Sequence, residues 1–140
     1  MSTNVQGKDG RMSALAVINE QLESIGINYQ FDEWAGEIVY PYFTGEYQET
    51  PSLNEDGMIE ISFILNGFSR KRNDNAEPLL ELEQAKEKIR SHFRDGIVVT
   101  TDSGSSVAIF YENTLANIPT GDAELKRIQI NLKIKEWSVK

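Results

Sequence analysis

A single histidine, His92, and no cysteine in 140 residues set the first limits on what this chain can catalyse. Without thiols there is no thiolate nucleophile, thiolate zinc site or iron–sulfur cluster, and one imidazole cannot build a histidine-rich metal site. His92 stands beside Phe93 near the end of a helical stripe, where it reads as a cation near the negative helix terminus or as a half-buried ring. A catalytic histidine needs a nucleophile and an orienting acid. The serines on offer, Ser103, Ser105 and Ser106, fall in a Gly/Ser turn between strands, where serine is a turn former. Glu77, Glu81, Glu83 and Glu87 are interleaved with Lys86, Lys88 and Arg90, the pattern of ion pairs along a solvated helix rather than of a metal site. The Asn54-Glu55-Asp56-Gly57 turn lacks the alternating ligands and closing glutamate of a calcium loop. Neither GxxxxGK[ST] nor GxGxxG occurs, so no phosphate cradle is expected. The expectation is a protein without catalysis, metal or cofactor.

Recognition is the better use of these residues. Against a net charge of −8, Arg70-Lys71-Arg72 is the one dense basic run. Three cations are too few to specify nucleic acid, whose binding depends on many Lys/Arg contacts, so the run is expected as a solvated loop drawn to an acidic neighbour. Tyr40, Tyr42, Phe43 and Tyr47 form an aromatic strand, with Tyr40 and Tyr42 on one face and Phe43 on the other. Tyr42, Phe43 and Tyr47 are the candidates for a buried protein interface, since aromatics dominate interface hot spots. The loop from Glu112 to Ala123, which contains Pro119, is long enough to suggest a binding or assembly role. The predicted contact set is therefore Tyr42, Phe43, Tyr47, Arg70, Lys71, Arg72 and Pro119. The start, MSTNVQGKDGRMS, is not of signal-peptide type, and no apolar run approaches a membrane span, so a cytoplasmic origin without membrane contact is expected.

The elements that must position these groups follow from periodicity. The polar residues 1–10 read as a flexible tail, and 11–140 as one domain. Met12, Leu15, Ala16, Ile18, Leu22 and Ile25 recur at helical spacing, with Asn19, Glu20, Gln21 and Glu23 opposite, Asp9 or Ser13 as cap and Gly26 as stop. From Ile27 the period becomes two, giving a first strand through Tyr29 and Phe31. A long hairpin follows around a turn at Pro51 to Gly57, with Pro41 at a strand start, edge or bulge and Ile59, Ile61, Phe63 and Leu65 on one face of the return strand. Ser69 to Asn75 is a charged connector. Leu79, Leu82, Ala85, Ile89 and Phe93 then form a second helix, opened by Pro78 and closed by Asp95-Gly96. A second hairpin spans Ile97 to Thr101 and Val107 to Tyr111. Ile128, Ile130, Leu132 and Ile134 alternate along a last strand. The order α-β-β-β-α-β-β-β makes this an α+β protein, a mainly antiparallel sheet with two helices packed on one face.

That order, together with YPYFTGEY at Tyr40 to Tyr47, MIEISFILNGFSR, the helix after it and IPTGDAELKRIQINLKIKEW at Ile118 to Trp137, resembles the tail terminator (minor tail, tail-completion) proteins of tailed bacteriophages and prophages. The likeness covers most of Met12 to Trp137. It implies an α+β subunit that closes into a ring, commonly of six copies, at the head-proximal end of the tail tube. The partners it implies are other copies of itself, the tail tube protein and a head-completion or connector protein, and the place is the virion tail. Two other classes stay open: a small protein-binding or regulatory module, and an enzyme using carboxylates alone, for which Asp32, Glu33, Glu37 and Glu46 are the concentrated acids.

Overall fold

The computed structural model describes residues 10–50, 58–72, 77–102 and 104–137. Its elements are α1 (Gly10–Ser24), β1 (Tyr29–Phe31), β2 (Tyr42–Thr50), β3 (Met58–Arg70), α2 (Pro78–Phe93), β4 (Ile97–Thr100), β5 (Ser106–Leu115) and β6 (Leu125–Trp137). The fold is α+β in the expected order. Six strands form one sheet in the order β1-β2-β3-β6-β5-β4, antiparallel throughout except for the short parallel β1–β2 pair.

Both helices cover one face of the sheet. α1 buries Ala14, Val17, Ile18 and Leu22, with Leu15 and Ile25 at the margin. The helix begins at Gly10, two residues before the expected Met12, so Ser13 lies inside it rather than capping it. Asp9, the alternative cap, and residues 1–9 of the expected tail lie outside the described residues. Gly26 ends the helix as expected: its N–H donates to the Glu23 carbonyl at 3.0 Å and the Ile27 N–H donates to Leu22 at 3.0 Å. This pairing requires the left-handed backbone that Gly26 adopts (φ 80°). α2 starts on Pro78 and buries Pro78, Leu82, Ala85, Ile89 and Phe93, the predicted stripe with Leu79 displaced to its edge.

The sheet face beneath the helices is the core: Phe43 from β2, Ile61, Phe63 and Leu65 from β3, Val107 and Ile109 from β5, and Ile128, Ile130, Leu132 and Ile134 from β6, all with at most 1% of their surface exposed. Strict alternation puts them there, because every second side chain of a strand shares a face. Phe43 lies over Gly67, its cross-strand partner, where there is no side chain to displace it. Pro41 directly precedes β2, satisfying the expectation that it stands at a strand start.

Two boundaries differ from the sequence reading. Ser69 and Arg70 belong to β3, not to the connector, and Ser69 is fully buried. β5 continues past Tyr111 to Leu115, so the expected Glu112–Ala123 loop shrinks to residues 116–124. A register shift between Tyr111 and Asn113 accommodates Glu112. Glu-Asn-Thr has the composition of a turn, but pairing with β6 holds it in the sheet; neighbours override local strand propensity. The Pro51–Gly57 turn and Asn73–Ala76 lie outside the described residues.

Candidate functional site

The helices leave the second sheet face open, and its side chains form rows across the strands. Thr44, Asn66 and Gln129 make one row, Glu46, Ile64, Asn131 and Asn113 the next, and Gln48, Ser62, Lys133 and Phe110 a third. Several polar groups there pair with one another, although the buried Arg127 Nε has no partner among the described residues. Asn66 donates to Glu46 at 3.0 Å, Arg127 donates to Asn66 at 2.8 Å, and Asn131 donates to Asn113 at 2.6 Å. Lys133 pairs with Glu60 at 2.8 Å and with Glu112 at 3.4 Å, contacts that raise its pKa and lower that of Glu60.

At one corner of this face the row Tyr42–Phe68–Arg127 extends into an aromatic cluster. Tyr42 stacks on Phe68 with ring centres 5.1 Å apart, and Trp34 and Tyr40 lie 5.0 and 5.7 Å from Tyr42. The Arg127 guanidinium sits 5.9 Å from the centre of Phe68 and that of Arg72 5.8 Å from Tyr40. Partial burial pushes the Tyr42 hydroxyl pKa up, Tyr40 adds to the shift, and Arg70 opposes it. Of the predicted contact residues, only Tyr42 belongs to these rings. Trp34, Phe68 and Arg127 were not anticipated. Phe68 is out of phase with the buried Phe63 and Leu65, which was the signal available in the sequence; that it stands opposite Arg127 follows only from the strand register.

Five of the other predicted contacts need correction. Phe43 is completely buried within its own subunit and serves the core, because strand alternation sends it beneath the helices. Tyr47 shares that face, not the face of Tyr42, and packs at the core margin with Phe31 at 6.0 Å. The basic run is not an unsatisfied patch awaiting a neighbour. Arg70 pairs with Asp122 at 3.0 Å, Lys71 with Glu77 at 3.6 Å, and Arg72 with Glu81, whose other oxygen accepts from Ser69 at 2.6 Å. The end of β3 sets Arg70 beside Asp122 of the β5–β6 connection, and the next two residues set Lys71 and Arg72 beside the acidic start of α2, so the expected charge complementarity is intramolecular. Lys71 alone of the three is well exposed. Pro119 remains exposed in the 116–124 connection, where Thr120 and Asp122 organise the turn by bonds to the backbone of Asp122, Leu125 and Glu124.

The residues weighed for catalysis are spread apart. The His92 Nε2 lies 2.7 Å from the Gln21 side-chain oxygen and its ring meets Phe93 edge-on, so it ties α2 to α1. Gln21, expected on the solvent side, faces α2 for the same reason. Ser106 stands in β5 against Trp137, Ser105 is buried in the turn, and Ser103 lies outside the described residues. Glu46 is held by Asn66, whereas Asp32, Glu33 and Glu37 lie exposed along the β1–β2 connection. Glu83 and Glu87 pair with Lys86, each at 3.0 Å, and Glu87 pairs with Arg90 at 2.9 Å. Among the described residues no group of three His, Asp or Glu side chains is arranged to hold a metal. An open groove of about 520 Å³ runs between α2 and the Val39–Pro41 segment, bordered by Glu81 and Lys88.

Two stretches of strand edge complete the picture. β1 pairs only with Phe43–Gly45, which leaves Glu46–Thr50 of β2 with no described strand outside it. β4 pairs only with Ser106–Ile109, which leaves Phe110–Leu115 of β5 likewise open. Two exposed apolar side chains lie at these stretches, Phe31 beside Tyr47 of β2 and Leu115 at the end of β5. No protein-family model matches the chain, and no curated protein matches it. No described helix is long and apolar enough to cross a membrane.

Proposed function

We propose that this chain is a structural subunit of a phage or prophage tail that closes, with further copies of itself, into a ring at the head-proximal end of the tail tube and joins tail to head. The family resemblance of the sequence supplies the role. The observation that carries it is the pair of open edges, Glu46–Thr50 and Phe110–Leu115, on opposite sides of one sheet. A ring of identical subunits needs two different surfaces on each copy that fit one another, since a single self-complementary patch gives only a dimer. β2 and β5 run in opposite directions, so an edge of one copy meets the other edge of the next in antiparallel sense. Long open edges are also a hazard that monomeric proteins blunt, and here neither is covered by a described strand.

Electron microscopy and mass measurement of the purified chain, alone and with purified tail tubes, test this reading. Rings of uniform size, seated on tube ends when tubes are present, are expected. A particle that stays monomeric at high concentration in both conditions overturns it in favour of a small binding module, for which the Trp34–Tyr42–Phe68–Arg127 corner is the contact surface.

A further inference from the structure

The corner built on Tyr42, Phe68 and Arg127 holds a cation that its own chain has not neutralised. Arg70, Arg72, Arg90 and Arg94 each face a carboxylate, respectively Asp122, Glu81, Glu87 and Asp95. Arg127 faces none among the described residues, although the chain has 22 acids against 14 Lys and Arg. Its guanidinium is held instead by the Phe68 ring at 5.9 Å and by one bond, from Nη2 to the Asn66 side-chain oxygen at 2.8 Å. Asn66 is itself fixed, because its amide nitrogen donates to Glu46 at 3.0 Å and this turns its oxygen towards Arg127. Glu46 thus orients the guanidinium through an amide without pairing with it. The Nε hydrogen is buried, and the remaining N–H groups of the outer edge have no bond among the described residues. A guanidinium stays charged, and its planar fork is matched by a carboxylate.

The surroundings of Arg127 indicate what such a carboxylate is attached to. On one side Trp34, Tyr42 and Phe68 are half-buried and pack on one another rather than into the core. Trp34 is tied down: its indole N–H donates to the Glu37 carbonyl at 3.1 Å, and the Gln30 amide bonds both the N–H and the carbonyl of Ala35, at 2.9 and 3.0 Å. A surface ordered in advance loses less freedom when it binds. On the other side Leu115 stands on the same sheet face, one row along on the next strand, and is 49% exposed. The strip from Tyr42 to Leu115 crosses β2, β3, β6 and β5, three strand spacings or about 14 Å. An extended peptide repeats its side-chain direction every ~6.7 Å, so a strip of this length takes three side chains from one side of it, the middle one at Arg127.

We propose that this corner binds an extended segment of a partner protein in which an aspartate or glutamate is flanked, two residues away on each side, by an apolar side chain. The carboxylate takes the outer edge of Arg127, one apolar side chain lies against Trp34 and Tyr42, and the other lies against Leu115. A nucleic-acid backbone fits less well. Arg70 and Arg72 are committed to Asp122 and Glu81, and Glu33 and Glu37 stand exposed in the connection that carries Trp34, so a polyanion would gain Arg127 and meet acids beside it. Side chains stand roughly perpendicular to a sheet, so a segment lying on this face does not compete with pairing at the strand edges. The inference therefore does not rest on the ring reading.

The probes are two blocked peptides, Gly-Ser-Leu-Ser-Glu-Ser-Leu-Ser-Gly and the same sequence with Gln in place of Glu, titrated into the isotope-labelled full chain and followed by NMR. The Glu peptide should shift the Trp34 indole and Arg127 Nε resonances and bind roughly tenfold or more tighter than the Gln peptide, the scale of a hydrogen bond to a charged group. Arg127→Gln should bring the two peptides within about twofold of each other with the melting temperature unchanged. Tyr42→Ala should weaken both peptides by a similar factor and leave their ratio intact. Equal binding of the two peptides by the parent chain, no shift at millimolar peptide, shifts confined to other residues, or a Glu preference that survives Arg127→Gln each overturn the proposal. A thymidine oligonucleotide that shifts the same resonances at lower concentration than the Glu peptide overturns it in favour of phosphate. Rings that form without peptide binding overturn this inference and leave the ring reading standing, whereas a monomer that binds the Glu peptide does the reverse.

Discussion

Replacing Gly67 by alanine probes how the core face is set. Gly67 lies opposite Phe43 in the β2–β3 register, and a Cβ built there stands 2.3 Å from a carbon of the Phe43 ring. Phe43 is fully buried, so the ring cannot swing into solvent and must push on the helices above it. Overpacking of this kind costs roughly 1–3 kcal/mol. Removing a glycine from a strand interior returns roughly 0.5–1 kcal/mol of that, which leaves a net loss of roughly 0–2.5 kcal/mol, and the 2.3 Å approach to a ring that cannot move into solvent puts the expectation in the upper half, about 1–2.5 kcal/mol. At about 4 °C per kcal/mol for a domain of this size, the melting temperature should fall by about 4–10 °C. Phe43→Leu alone should cost about 1–2 kcal/mol through lost burial, but in the double variant the smaller side chain makes room for the new methyl. The two costs should then sum to at least ~1 kcal/mol more than the double variant shows. Urea and thermal unfolding followed by circular dichroism on the four proteins give the cycle. Gly67→Ala within about 0.5 kcal/mol of the parent, or strict additivity, would refute the assignment of Phe43 as the ring that covers Gly67.

Ile130→Ala and Leu82→Ala, each removing a fully buried side chain from the centre of the core, should each cost about 2–5 kcal/mol in urea unfolding. Arg72→Met, which strands Glu81 beside the buried Ser69, should cost about 1–2 kcal/mol, whereas Lys71→Met on the exposed Lys71–Glu77 pair should stay within about 0.5 kcal/mol. The Glu87 carboxyl is held at about 2, below its ordinary 4.5, by Arg90 and then Lys86. A lowered folded-state pKa stabilises above the unfolded value, and that contribution is lost as pH falls from about 4.5 to about 2. NMR titration should find the Glu87 midpoint in the lower part of that window, and Glu87→Gln should remove its share of the acid sensitivity. Because the basic run is paired inside the subunit, association should change less than about threefold from ~0.1 to ~1 M salt in analytical ultracentrifugation, and a steep fall would place charge pairs back at the interface.

Where one face of an element is buried and the other wet, the fold was legible in the sequence. β6 alternates without interruption from Ile128 to Ile134, and α2 keeps one stripe from Leu82 to Phe93, so these buried residues were legible, while the half-buried Leu79 and the fully buried Glu136 at the end of β6 were not. Reading failed where pairing partners lie far apart in sequence. Glu112 to Leu115 has turn-like composition and is a strand only because β6 pairs with it. Phe43 and Tyr42 are adjacent aromatics of similar character, and which one enters the core depends on which face the helices cover. Arg70 to Arg72 reads as an exposed cluster because its partners Asp122, Glu77 and Glu81 arrive from other elements. The open edges are a still more distant property, set by where β1 and β4 stop along their neighbours.

Charge placement bears on which surfaces can meet. The helix layer displays Glu20, Glu23, Glu77, Glu87 and Asp95 to solvent, while several of its cations are engaged by those acids or their neighbours. Two copies meeting helix layer to helix layer would set acid against acid, and like charges brought together across an interface cost several kcal/mol. On the sheet edges, Glu46 is bonded by Asn66 and Glu112 by Lys133 within the subunit. In the proposed ring, repulsion between helix layers would oppose stacked or face-to-face aggregates, while pairing of strand edges would extend the sheet sideways.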